Sequence, residues 1–132
     1  RGLIRTLDLL KPLRKKITIV APIPEIGWDV PSVLAMESWH KREIHTEPRL
    51  EEFLKRNAFV LDLLRELRSQ YQFDIVYPHE QLCDQEYCRV IRDNEPLYCD
   101  DDHLSNHGAS YLIPAFHRAL DFSAYAIARP RR

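Results

Sequence analysis

A chain of 132 residues with 19 basic and 20 acidic side chains, formal net charge −1, suits a single globular domain. The balance lacks the basic surplus of a nucleic-acid footprint, so no nucleic-acid partner is expected. The longest apolar runs, such as Ile17-Thr18-Ile19-Val20-Ala21, fall well short of the ~20 residues that cross a bilayer. No apolar signal-peptide core opens the chain either. The chain begins with Arg1 and its only methionine is Met36, so a longer parent polypeptide is expected.

Leu3, Ile4, Leu7, Leu10 and Leu13 recur at helical spacing, and Pro12 with the basic cluster Arg14-Lys15-Lys16 marks the stop. Residues 17–21 are β-branched and continuous, which predicts a buried strand of the parallel-sheet kind. Three prolines and Gly27 make residues 22–31 a loop, and residues 32–39 predict a short helical turn. Thr46 is a candidate N-cap, with Pro48 in the first turn of the clearest helix. In that helix Leu50, Phe53, Leu54, Val60, Leu61, Leu64 and Leu67 share one face and ionic residues cover the other. Residues 73–77 predict a second strand ended by Pro78, followed by a polar hairpin or loop through Asn94 and an extended piece at 96–98. A helix is expected over 105–120, on the spacing of Ala109, Leu112, Ile113, Phe116, Ala119 and Leu120. The basic end, through Arg131-Arg132, reads as an exposed tail. Helices alternating with strands predict an α/β layer structure around a parallel sheet, and two strands are few for a sheet covered on both faces.

Three features carry chemistry. Asp100 precedes His103 by three residues on the loop entering the last helix. A general-base histidine needs one ring nitrogen free for a nucleophile and the other held by an acceptor that sets the tautomer, and a carboxylate at this spacing can supply the acceptor. The same residues also fit a helix-capping turn, with Ser105 or Asp102 as the cap. Asp100 to Asp102 with His103 and His107, four residues apart, could hold a cation, but further ligands are not evident, and no metal and no cofactor is expected. The loop 22–31 leaves the first strand at its carboxyl end, where ligands bind in open parallel sheets, so Trp28 and Asp29 are substrate-loop candidates; Trp28 packed on the domain is the alternative. Cys83 and Cys88 enclose a short polar loop and could form a disulfide or remain thiols, with Cys99 left over beside Asp100.

Two segments together resemble a known family. The run from Ile17-Thr18-Ile19-Val20-Ala21-Pro22 through Gly27-Trp28-Asp29-Val30-Pro31 is similar to the strand and loop of SGNH-type domains. The run Leu97-Tyr98-Cys99-Asp100-Asp101-Asp102-His103-Leu104-Ser105 resembles their last motif, in which Asp-x-x-His supplies two members of a triad. The pair Cys83 and Cys88 just upstream matches the same layout. The likeness spans roughly residues 1 to 120 and is greatest to the SGNH domain fused behind membrane-embedded acyltransferases that O-acetylate bacterial surface polysaccharides. It implies a flavodoxin-like α/β/α sandwich, with Asp100 as acid and His103 as base. It further implies an extracytoplasmic, periplasmic-facing domain that receives an acyl group from its membrane partner and passes it to a glycan acceptor, and a Cys83–Cys88 disulfide suited to that compartment. The sequence departs from the pattern in its nucleophile: no Gly-Asp-Ser occurs, the only glycines being Gly2, Gly27 and Gly108, and the oxyanion-hole Gly and Asn are not identifiable. Ser105 and Ser110 follow the histidine on its own helix and do not substitute. The resemblance therefore implies an acyltransferase or esterase whose serine is supplied from outside this chain, or a non-catalytic glycan-binding module that keeps the fold.

Overall fold

The computed structural model describes residues 2–44 and 47–120. Its elements run α1 (Gly2–Leu10), a 3-10 turn (Lys11–Leu13), β1 (Thr18–Val20), α2 (Val30–His40), α3 (Leu50–Tyr71), β2 (Asp74–Val76), α4 (His79–Leu82), β3 (Ile91–Arg92), β4 (Glu95–Pro96), α5 (Asn106–Ser110) and α6 (Ile113–Leu120). The basic tail and Thr46 lie outside the described residues.

Both strands expected from the sequence form, and they pair with each other in parallel: Thr18 opposite Asp74, Ile19 opposite Ile75, Val20 opposite Val76. Side chains alternate across a strand, and the two faces are covered by different helices. Ile19 and Ile75 pack on a cluster of Leu7 from α1 with Leu61, Leu64 and Leu67 from α3. Val76 points the other way, onto Ala115 and Ala119 of α6. The α/β arrangement follows the alternation in the sequence. The expectation of a fully buried first strand does not hold: Val20 is 46% exposed. Among the described residues β1 has one partner strand, and the helix on that face covers β2.

A second core lies beyond the carboxyl ends of the strands, where Ile26, Val30, Leu82, Val90, Leu97, Tyr98 and Leu112 are all buried together. Its strands, β3 and β4, form a hairpin that turns at Asp93–Asn94, at the end of the stretch expected to be a polar hairpin or loop through Asn94, with Ile91 opposite Pro96 and Arg92 opposite Glu95. Asp93 and Asn94 both take positive φ, 53° and 63°, the left-handed pair that a two-residue turn of matching twist requires and that Asp and Asn tolerate.

Three expectations are corrected. The short turn at 32–39 is an eleven-residue helix starting at Val30, because Asp29 caps it by accepting from the Ser32 N–H at 2.9 Å and Pro31 sits in the first turn, where no N–H is needed. The long helix begins at Leu50, with Arg49 in the capping position and no side-chain cap. Its first N–H is instead satisfied from afar, by the Glu86 carbonyl at 2.9 Å. The single helix over 105–120 is broken at Tyr111–Leu112 into α5 and α6. Pro114 is the cause: in a continuous helix its ring would clash with the Ser110 carbonyl, whereas the break places it in the first turn of α6.

Candidate active site

The segment from Leu97 to Gly108 is folded by its own hydrogen bonds. Leu97 takes a bond from Ser105 N–H at 2.9 Å, Cys99 N–H donates to the His103 carbonyl at 2.9 Å, and Tyr98 bridges Leu104. These close residues 99–103 into a small loop on a fully buried base of Leu97 and Tyr98. Burial pushes the Tyr98 phenol well above its ordinary pKa.

Inside the loop, Asp100 organises the backbone. Its Oδ1 accepts from the N–H groups of His103 at 2.6 Å and Asp102 at 3.0 Å, an Asx turn that leaves Oδ2 pointing at the His103 ring. Oδ2 lies 2.9 Å from His103 Nδ1. Asp102 Oδ1 lies 2.7 Å from the same nitrogen. The backbone donors of Asp102 and His103, then the His103 side chain, hold the Asp100 carboxyl below the usual carboxylate range. The hydrogen bond that His103 donates to Asp100 raises the His103 pKa, with the charges of Asp100, Asp102 and Asp101 adding to it. Nδ1 therefore carries the proton, and Nε2 is the nitrogen open to take one. The His103 side chain is 73% exposed.

Nearby elements frame this pair. The loop 22–31 is tied to it by Ile26 N–H donating to the Asp101 carbonyl at 2.8 Å. Within that loop Trp28 packs against the second core, half-buried, and Asp29 is exposed as the cap of α2. Ser105 caps α5: its Oγ accepts from Gly108 N–H at 3.0 Å and donates to the Pro96 carbonyl at 2.7 Å. Both capacities of its hydroxyl are thus engaged in structure. Ser110 Oγ donates to the His107 carbonyl at 2.6 Å, one turn further along. His107 turns from the acidic loop to the hairpin, its Nε2 2.9 Å from the Arg92 carbonyl and its Nδ1 3.5 Å from Glu95. Asp100, Asp102 and His103 alone come together as metal-type ligands among the described residues, and His107 does not join them.

Two contributors were not singled out in the sequence. Gly108 lets α5 lie against the Leu97 backbone, since a Cβ there would fall 2.0 Å from the Leu97 carbonyl oxygen. The signal was a lone glycine one turn after the capping serine. Asp102 was seen only as part of an acidic triplet or as a cap, and its approach to Nδ1 depends on how the loop closes.

The scaffold behind the site is held by the 83–88 loop. Cys83 and Cys88 are joined as a disulfide, and Cys99 is an exposed free thiol. Cys88 N–H donates to the Pro48 carbonyl, and Arg89 bridges Glu47 and Asp84, so the loop clamps the entry of α3 to the hairpin that leads to Asp100. No helix among the described residues is long and apolar enough to cross a membrane.

The arrangement is a carboxylate–imidazole pair on a capped loop, with the Asp100 carboxylate fixed by two backbone N–H groups and the His103 ring oriented by it. Searches of curated proteins and of solved structures gave no match. The profile of one family, described as the SGNH domain fused to AT3 domains, matches residues 1–118, a span that includes both sequence segments and the Asp100–His103 loop. The chain belongs to this family of acyltransferase-associated SGNH domains.

Proposed function

We propose that the chain is the C-terminal part of an SGNH domain, over residues 1–120, that moves acyl groups on cell-envelope polysaccharide through a Ser-His-Asp triad. Asp100 holds the His103 tautomer and stabilises the imidazolium. His103 Nε2 takes the proton from a serine supplied outside this chain and gives it to the leaving oxygen of the donor; it then takes the proton of the acceptor hydroxyl that attacks the acyl-serine and returns it to the serine oxygen as that ester breaks. The Asp100 Oδ2 to His103 Nδ1 contact of 2.9 Å is the observation that carries the reading, because it fixes the tautomer a base requires. In this reading further strands complete a flavodoxin-like three-layer sandwich around β1 and β2. The acyl donor comes from a membrane acyltransferase domain of the same parent, the acceptor is a glycan, and the domain works on the periplasmic side. The Cys83–Cys88 disulfide suits such a compartment.

The test is acetyl-ester hydrolysis and acetyl transfer by the intact parent protein. His103→Ala should lower kcat by at least about 10³-fold, as loss of a triad base does. Turnover that survives His103→Ala unchanged overturns the assignment. A second reading is favoured by the absence of Gly-Asp-Ser from the chain: a non-catalytic extracytoplasmic module that binds glycan with the same fold. No turnover by the intact parent, with glycan binding retained, would select it.

A further inference from the structure

His79 opens α4 with its ring set between two aromatic side chains. The Phe53 ring of α3 lies 5.2 Å from it, centroid to centroid, and the Tyr77 ring 5.7 Å from it at 71°. Its Nδ1 is buried and meets no hydrogen-bond partner among the described residues. A neutral imidazole can leave that nitrogen as a bare acceptor. The cation carries a proton on both ring nitrogens, so Nδ1 would become a buried donor with nothing to accept from it. Burial also disfavours the charge itself and holds the His79 pKa below the ordinary histidine value. The charged neighbours do not reverse this. Glu80, the next residue of α4, favours the cation, and Arg65 of α3, paired with Asp62, opposes it. The Tyr77 phenol carries no charge in the acid range.

The ring stands at the head of a run of contacts that leads to the candidate active site. The His79 carbonyl accepts from Cys83 N–H at 2.9 Å, closing α4 onto the disulfide loop. Leu82, fully buried in the second core, accepts from Arg89 N–H at 2.9 Å. Val90 then accepts from Leu97 N–H at 2.8 Å, three residues before Asp100.

We infer that His79 is an acid-sensitive latch: a proton taken from solvent drives its ring out of the space between Phe53 and Tyr77, and α4 with the disulfide loop loosens from α3. The latch is independent of the acyl-transfer reading. Only the neutral ring fits, so its stabilising contact is present above the unfolded histidine pKa and is lost as pH falls through the lowered folded value. Two measurements on the intact parent test it. Slow deuterium exchange at each imidazole C2 carbon, followed by mass spectrometry against pH, titrates the histidines individually, and His79 should titrate below the ordinary value of about 6.5. Amide exchange, corrected for its intrinsic pH dependence, should show protection of residues 79–90 falling at least about fivefold from about pH 7.5 to about pH 5, with residues 2–10 changing less than about twofold. His79→Phe and His79→Gln remove the titrating group, and each should hold protection of residues 79–90 within about twofold over the same range. The inference is overturned if His79 titrates at or above the ordinary value, if protection does not fall, or if it falls as far in the variants as in the unsubstituted parent. The C2 titration decides the matter should both variants fail to fold.

Discussion

Two carboxylate oxygens, from Asp100 and Asp102, stand within 3 Å of His103 Nδ1. Their roles differ because their backbones differ. Asp100 is locked by the two N–H groups it accepts from, so its second oxygen has a set direction, whereas Asp102 contributes charge from a half-exposed side chain. Asp100→Asn should lower kcat by roughly 10³–10⁴-fold in the intact parent, since loss of the carboxylate removes tautomer control. Asp102→Asn should leave kcat near its original level and move the pH profile. The sign follows from the raised pKa of His103. A base must be neutral, so the acidic limb of kcat/KM should lie above that of an ordinary histidine, and Asp102→Asn should shift it to lower pH. A limb that stays put would make Asp102 a bystander. The same pair gives opposite stability windows. The contribution through His103 is present below its unfolded pKa and fades as pH rises through the raised folded value. The contribution through Asp100 is present above its unfolded pKa and fades as pH falls through the lowered folded value. Gly108 belongs to this scale too. Gly108→Ala puts a methyl into the Leu97 carbonyl, and a forced shift of packed backbone should cost about 1–3 kcal/mol, measurable as a lowered denaturation midpoint. An unchanged midpoint would show that α5 can slide without cost.

The element that matters most for placing the site is the disulfide-closed loop. It reaches α3 in one direction, through the Glu86 carbonyl on Leu50 N–H, and the hairpin in the other, through Arg89 and the Val90 N–H donated to Glu47. Such a short loop loses little chain entropy on closure, so the cross-link contributes about 2 kcal/mol on the chain-entropy model. Paired Cys83→Ser and Cys88→Ser, or reduction with a dithiol, should therefore lower the unfolding free energy by about that amount without abolishing the fold. Complete unfolding on reduction would assign the loop a larger part than the crossing hydrogen bonds imply. The hairpin was legible from its polar turn and the break inside residues 105–120 was present in Pro114, yet spacing alone carried the apolar pattern straight through it. The apolar spacing runs on across the two-residue break at Tyr111–Leu112, which is why it concealed it.

For the whole molecule, the open side of β1 is the dominant feature. Val20 is nearly half exposed on β1, the strand whose second edge has no partner strand among the described residues. An apolar, unpaired edge of this kind templates association. The isolated 132-residue chain should self-associate, visible as concentration-dependent light scattering, and Val20→Lys should reduce it. A monodisperse, cooperatively melting monomer with Val20 intact would overturn the prediction.

What the sequence by itself determined is the material that is local or strongly periodic: the α/β class, the two strands, the long amphipathic helix, and Asp100 with His103. It also carried the family, because the specific Asp-x-x-His motif follows the moderately specific strand-and-loop motif in the family's order. Only the tertiary structure decided which groups meet. Glu86 satisfies the start of α3, Asp102 approaches Nδ1, Gly108 admits the Leu97 backbone, His107 faces the hairpin, and a groove forms between α2 and that hairpin. Each of these depends on contacts between residues separated by a turn, a loop or half the chain. Local propensity has no term for such contacts; they follow from how the two cores close around the carboxyl ends of the strands.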